Sequence, residues 1–352
     1  MPIIQSATLH RLAASIFVAL GASPEAAACV ADGLVDANLM GLDSHGAIRI
    51  PQYVQAVEDG LVDPGAEPVI TREDGGLLTV DGRRAFGQVV AGMAVATATH
   101  RLAQGPHRLV AVAAHHAYHV GRLGAYVQRL TAQGYIGIAM VNNHGARPWA
   151  APFGGRERRL STNPIAFAVP RPGGDPLLVD LTTSATAEGK VRLLRNRGEM
   201  APDGWLVDSD GRPTRDPAAL YASPPGAILP LGGSTLGHKG FGLSLMVEVL
   251  AGALSGAGCS RPDADWPGNG FFCLAIDPLG FQPASALEAA VEGLIAYVKE
   301  TPLAEGFAEI LVPGEPEFRT RARRAAEGIP LDLETWRQIV AAAERCGVHW
   351  EG

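Results

Sequence analysis

The chain has 352 residues, of which 47 % are apolar and 18 % charged, a balance that excludes a disordered polypeptide. Its mass of 36.7 kDa suits one large domain or two, and a chain of this length buries a core without disulfide or metal staples. The net charge is −7 and the one small basic cluster is Arg319, Arg321, Arg323 and Arg324, which excludes nucleic acid and acidic membrane surfaces as general partners.

In chain order, Leu9, Leu12, Ile16 and Leu20 keep helical spacing and predict a core-facing helix rather than a signal segment. Ser23-Pro-Glu starts a second helix over residues 26–38, which gives way at Gly41. Residues 76–81 read as a strand, 88–102 as a helix, 108–113 as a strand, 123–133 as a helix and 135–141 as a strand. Strands at 165–169 and 177–180 then follow each other directly. A helix over 185–196 and a polar, turn-rich stretch over 203–225 come next. The pattern predicts a buried apolar helix at 242–254, a strand at 271–276, and an amphipathic helix at 286–298 with Ser285 and Glu288 as its capping box. A last strand is expected at 309–312, then a helix capped by Asp332 that carries Leu333, Trp336, Ile339, Val340 and Ala343 at helical spacing.

Strands and helices alternate, but adjacent strands also occur. This predicts an α/β fold of mixed α+β character, with a mixed sheet layered by helices. Residues 1–74 plus 316–352 read as a helical subdomain and residues 75–315 as the sheet domain. Cys29, Cys259, Cys273 and Cys346 are scattered without a CxxC pair, which points to a reducing, cytoplasmic compartment. No apolar run approaches the ~18 residues of a membrane span.

Five segments carry chemistry. Asp43, Ser44, His45 and Arg49 cluster where a helix ends. Histidine suits proton transfer and arginine grips carboxylates; if the segment is helical, His45 and Arg49 share a face. The plainer alternative is a polar cap followed by a loop. His115-His-Ala-Tyr-His-Val-Gly follows a strand; a metal pair at His116 and His119 lacks the HExxH pattern, so no metal site is assigned. Asn142-Asn-His-Gly follows the next strand and offers amides to a carboxamide. Asp180-Leu-Thr-Thr-Ser leads through Gly189 to Lys190, which is a phosphate partner or a solvated charge. Gly237-His-Lys-Gly offers backbone N–H groups and a cation to a pyrophosphate. No GxGxxG fingerprint follows a strand, so the ordinary Rossmann frame is absent.

The ordered set Asp43-Ser-His-Gly with Arg49 and Tyr53, His119-Val-Gly, Ala151-Pro-Phe-Gly-Gly, Thr162-Asn-Pro, Val179-Asp-Leu-Thr-Thr-Ser with Gly189-Lys, Pro230-Leu-Gly-Gly, His238-Lys-Gly-Phe-Gly and Val312-Pro-Gly-Glu spans nearly the whole chain. It resembles the malate/L-lactate dehydrogenase family of the non-Rossmann type, whose relatives include ureidoglycolate dehydrogenase, 2,3-diketogulonate reductase, sulfolactate dehydrogenase and Δ1-piperideine-2-carboxylate reductase. The resemblance implies a homodimeric oxidoreductase that uses NAD or NADP to interconvert a 2-oxo acid and a 2-hydroxy acid. It implies His45 as proton donor with Ser44 relaying, and His119 as a second acid/base candidate. Arg49 and Tyr53 fall to the substrate. The cofactor falls to His119, Gly121, Asn143, Leu178, Val179, Asp180, Leu181, Lys190, His238, Lys239, Gly314 and Glu315. Residues 75–315 become the cofactor-binding domain. Rival readings are a cyclic imino acid reductase, a non-catalytic anion- or nucleotide-binding protein, and a metal hydrolase using His115, His116 and His119.

Overall fold

The polypeptide opens with helices because its first apolar residues recur at helical spacing. The computed structural model describes residues 1–145, 148–264 and 266–349. A two-residue strand, β1 (Ile3–Ile4), precedes α1 (Ser6–Ala19), which buries Leu9, Leu12, Ile16 and Phe17. Helix α2 (Pro24–Leu39) starts on Ser23, whose hydroxyl accepts the Ala26 N–H at 3.1 Å. Two 3-10 turns, Asp43–His45 and Ala47–Arg49, lead into α3 (Ile50–Glu58).

The sheet region follows: β2 (Val69–Asp74), β3 (Leu77–Asp81), α4 (Gly87–Gln104), β4 (Leu109–Ala117), α5 (Gly124–Thr131), β5 (Ile136–His144), β6 (Pro164–Val169) and β7 (Leu177–Thr182). Helix α6 (Glu188–Arg197) leads to a small antiparallel sheet of β8 (Leu206–Val207), β9 (Pro213–Thr214) and β10 (Ala227–Ile228). Helix α7 (Gly233–Val247) continues as a π-helical turn, Glu248–Ala253. Then come β11 (Gly268–Ile276), α8 (Ala284–Lys299), α9 (Glu315–Glu327), β12 (Ile329–Pro330) and α10 (Leu333–Arg345).

Seven strands form one mixed sheet in the order β2-β3-β4-β11-β5-β6-β7. Strands β3 and β4 are parallel and the other neighbours antiparallel. Helices α4 and α5 cover the sheet through Val90, Ala94, Tyr126, Val127 and Leu130, which meet Val112, Ala139 and Phe271. A second core joins the two ends of the chain, with Leu12, Phe17, Leu34 and Tyr53 packed with Ile339 and Ala343 of α10. Each large side chain buried this way contributes about 1.5–3 kcal/mol.

Several expectations need correction. Residues 69–74 form a strand paired with β3, so the boundary expected at residue 74 cuts a hairpin. Residues 309–312 are irregular; their backbone serves a turn in which Pro313 O accepts from Leu178 N. The apolar helix begins at Gly233 rather than 242, and Leu236, Leu243, Met246 and Val249 lie on its surface. Ser285 sits inside the first turn of α8, whose cap is Pro283, and forms no capping box. The turn-rich stretch contains β8 and β9.

Candidate active site

The histidine-bearing turn is locked from below. Asn38, buried at the end of α2, accepts the Ala47 N–H at 2.7 Å and donates to Asp43 Oδ1 at 2.6 Å. Arg324 of α9 grips both Asp43 oxygens, at 2.7 and 3.0 Å. Gly46 is required here, because a Cβ would lie 2.3 Å from Asn38 Oδ1. Its extended backbone also separates the two 3-10 turns. His45 and Arg49 therefore do not share a helix face. They are joined instead through Arg49 Nε, which donates to Ser44 O at 2.7 Å.

Five expected site residues converge here. Ser44 Oγ lies 3.1 Å from His45 Nδ1. The rings of His45 and His119 are nearly parallel, 18° apart in plane and 5.7 Å between centroids. Tyr53, from α3, places its hydroxyl 2.7 Å from His119 Nδ1 and accepts from Gln88 Nε2 at 2.8 Å. With Gln88 donating, the tyrosine proton goes to His119 Nδ1, and Nε2 of that ring carries the hydrogen. Arg49 Nη1 donates to Gln52 at 2.7 Å, and Gln52 in turn contacts the Tyr118 hydroxyl at 3.3 Å.

The electrostatics favour neutral imidazoles. Burial pushes His45 down to about 4, and the nearby charges of Arg49 and Arg122 push the same way. Burial, Arg49 and His45 hold His119 well below its ordinary value. Burial lowers Arg49 as well, and it raises Tyr53, so the phenol keeps its proton.

A cavity of about 280 Å³ adjoins this cluster, between β7 and the turn before α9. Leu178, Val179, Asp180 and Gly314 line it with Leu42, the residue before the histidine turn, and with Arg122. Asp180 Oδ2 accepts the Gly124 N–H at 2.7 Å; burial raises its pKa against the opposing pull of Arg122. Arg122 is buried, holds Asp36 through Nε and Nη2 at 3.2 and 3.0 Å, and also bonds Gln128. Its Nη1 has no partner among the described residues. Gly314 has φ +98°, and a Cβ there would press to 3.1 Å from Leu178 Cβ. The unpaired guanidinium nitrogen, the carboxylate and the open glycine cradle suit ribose hydroxyls and phosphate.

The other expected contacts stand apart. Gly121, at φ +78°, packs over Gln88, and Asn143 pairs across the sheet with Asn269. The Asn269 side chain accepts from Val120 N, beside His119. Leu181 continues β7. Glu315 accepts from Val312 N at 3.0 Å and pairs with Lys299, so it braces the turn. Lys190 lies exposed on α6. His238 and Lys239 sit within α7 rather than in a loop, so the backbone N–H groups of residues 237–240 are spent on the helix and form no phosphate cradle. His238 packs edge-on against Phe153, and the Lys239 side chain is exposed. His119 Nδ1 is taken up by Tyr53, and the ligand-capable cluster among the described residues joins His115 and His116 with Asp81 rather than His119, so the rival three-histidine hydrolase site is not assembled. Sequence reasoning missed Gln88, Gln52, Asn38 and Arg122. Only Arg122 had a signal, its place just past His119-Val-Gly.

A model of the malate/L-lactate dehydrogenase family matches residues 4–340. The chain belongs to the malate/L-lactate dehydrogenase family. It is 38 % identical over 348 residues to hydroxycarboxylate dehydrogenase B of Escherichia coli K12, covering 97 % of this chain and 93 % of that one. The structure of sulfolactate dehydrogenase from Methanocaldococcus jannaschii superposes with a TM-score of 0.87 at 33 % identity, covering 99 % and 98 % of the two chains. Δ1-Piperideine-2-carboxylate reductase from Pseudomonas syringae gives 0.82 at 32 % identity, covering 97 % and 100 %. As a member of this family the chain is an oxidoreductase, and its mixed sheet is the family's fold.

Proposed function

We propose that the chain interconverts a 2-oxo acid and a 2-hydroxy acid with NAD or NADP. The observation that carries this is the convergence of an imidazole, His45, with a half-buried guanidinium, Arg49, near a largely apolar cavity that Arg122 and Asp180 enter. A reduced nicotinamide, when bound, supplies hydride to the substrate's C2. The remaining work falls to the protein. Arg49 holds the substrate carboxylate, and Tyr53 supports the same pocket. His45 gives its proton to the carbonyl oxygen in reduction and takes it back in oxidation, with Ser44 orienting the ring. His119, held by Tyr53 and Gln88, lines the other side.

Charge links these roles. The free site keeps His45 neutral, poised as a base, partly because Arg49 stands beside it. A carboxylate bound on Arg49 cancels that repulsion and lifts His45 toward the pH at which it carries a proton. Substrate binding thereby prepares the acid for reduction.

The cofactor is assigned to the cavity walls at Leu178, Val179, Asp180 and Gly314, extending to Gly121, Asn143, Leu181 and Glu315. Charge alone supports Lys190 and Lys239 as phosphate contacts, and His238 stands beside Lys239 with a ring N–H to offer. A symmetric homodimer is part of this proposal, supported by the exposed apolar residues of α7. Cytoplasmic residence is supported by four free thiols. No helix among the described residues is long and apolar enough to cross a membrane.

One feature favours a second reading, reduction of a cyclic imino acid. Glu188 accepts from the Tyr221 hydroxyl at 2.8 Å, and its charge is felt at Arg49. A carboxylate there would balance an iminium cation. A panel of pyruvate, oxaloacetate, ureidoglycolate and cyclic imino acids with NADH and NADPH, or the oxidised forms where direction requires, decides between them. Turnover of the imino acids alone overturns the first reading, and no turnover of any member overturns both.

A further inference from the structure

We propose that Asp81, His115 and His116 form a binding site for one divalent transition-metal ion of the zinc class. The three side chains come from the end of β3 and the end of β4, and they lie outside the histidine–arginine cluster. Each offers one ligand atom, and the three atoms lie within 4.8 Å of one another. His116 Nδ1 is 2.9 Å from His115 Nδ1 and 2.9 Å from Asp81 Oδ1, and the remaining side of the triangle is 3.8 Å. A point about 1.9 Å from all three atoms follows from those three sides. Zinc bonds to imidazole nitrogen and carboxylate oxygen at about 2.0–2.2 Å, so an ion fits slightly out of that plane. The exposed His116 side leaves a further coordination position open to solvent.

Hydrogen bonding alone serves this triangle badly. An imidazole Nδ1 has one in-plane position, filled by either a proton or a lone pair. His116 Nδ1 cannot donate to the carboxylate and accept from its neighbour at once. A cation accepts from all three atoms together. The ligands are also held in place by bonds that do not involve the ion. Arg83 N donates to Asp81 Oδ1 at 2.9 Å, while Gly82 N and Arg84 N donate to the carbonyls of His115 and His116 at 2.8 and 2.9 Å. His116 adopts φ +50°, a conformation uncommon for a non-glycine residue. The neighbouring cation Arg84 is taken up over the Trp266 ring, 5.8 Å from its centroid. Two imidazoles with one carboxylate select zinc, cobalt, nickel or copper over magnesium or calcium.

The proposal is independent of the redox reaction, and its test reads binding. Calorimetric titration of Zn²⁺ into the untagged, metal-stripped chain should show one saturable site per chain. His116→Ala and Asp81→Asn should each weaken it at least about tenfold, while His10→Ala, at the separate His10–Asp32 pair, leaves it unchanged. Cobalt-loaded wild-type protein should show visible d–d absorption, a readout that needs no variant to fold. Absence of a saturable site, absence of the cobalt bands, or affinity indifferent to both site variants would overturn the assignment.

Discussion

The Tyr53 hydroxyl stands 2.7 Å from Nδ1 of His119, and through it a side chain in the core of the terminal helices sets the state of a ring in the site. The relay begins at Gln88, at the start of α4; among the described residues the other acceptor near the Tyr53 hydroxyl is the more distant His119 O, at 3.4 Å. Tyr53→Phe removes a bond worth about 0.5–1.5 kcal/mol and strands His119 Nδ1. The expected result is a fall in kcat/KM of about 3- to 30-fold with the fold retained, measured by steady-state kinetics and circular dichroism. An unchanged kcat/KM would detach His119 from the reaction.

His45→Ala should lower kcat by about 10²–10⁴ while cofactor affinity stays near normal. Near-normal turnover would transfer the proton to His119.

The same ring makes stability depend on pH. Its folded value is about 4, whereas an unfolded histidine titrates near ~6.5. Between these values the unfolded chain binds more protons, so stability should fall as pH drops from about 6.5 to about 4. His119 is displaced in the same direction, so His45→Ala should flatten the slope without abolishing it. Denaturant midpoints at several pH values check this, and a slope identical in the variant would contradict it.

Arg49→Lys keeps the charge but loses the fork that also holds Ser44 O and Gln52. KM for every accepted acid should rise about tenfold or more, with smaller changes in kcat. An unchanged KM excludes Arg49 from the carboxylate.

Gly314→Ala places a methyl group against Leu178 at the cavity wall and strains a left-handed residue. Nicotinamide fluorescence titration should show cofactor affinity reduced about tenfold, roughly 1.4 kcal/mol. Equal affinity would remove this wall from the cofactor site.

Light scattering at low micromolar protein should give about twice the chain mass of 36.7 kDa. A fully active species at the chain mass excludes the dimer, and Met246→Glu should dissociate it if α7 lies in the interface.

Much of the layout was legible because it depends on local pattern. Ser23 caps its helix as its type predicts, and alternating strands and helices place most of the sheet. The grouping of Ser44, His45 and Arg49 was equally visible, since they lie within six consecutive residues. Long-range partners were not. Gln88 carries no motif, and its role appears only when α4 meets α3. Glycine content misled at residues 237–240, where a loop was expected. Helix α7 tolerates those glycines because Gly237 and Gly240 pack closely against Phe153 and Leu231. The exposed apolar stripe of α7 was read as buried because hydrophobic spacing reports an apolar face, not what covers it.

Strand β11 lies between β4 and β5 in the sheet, yet it begins at residue 268, long after β4 ends at residue 117 and β5 at residue 144. The emerging chain can form its first helices and the β2–β3 hairpin early, but the middle of the sheet stays open until residue 276 has left the ribosome. Two apolar strand edges wait through that interval. Such late closure slows folding and exposes the nascent protein to mispairing. Truncations ending before β11 should therefore yield aggregation-prone fragments.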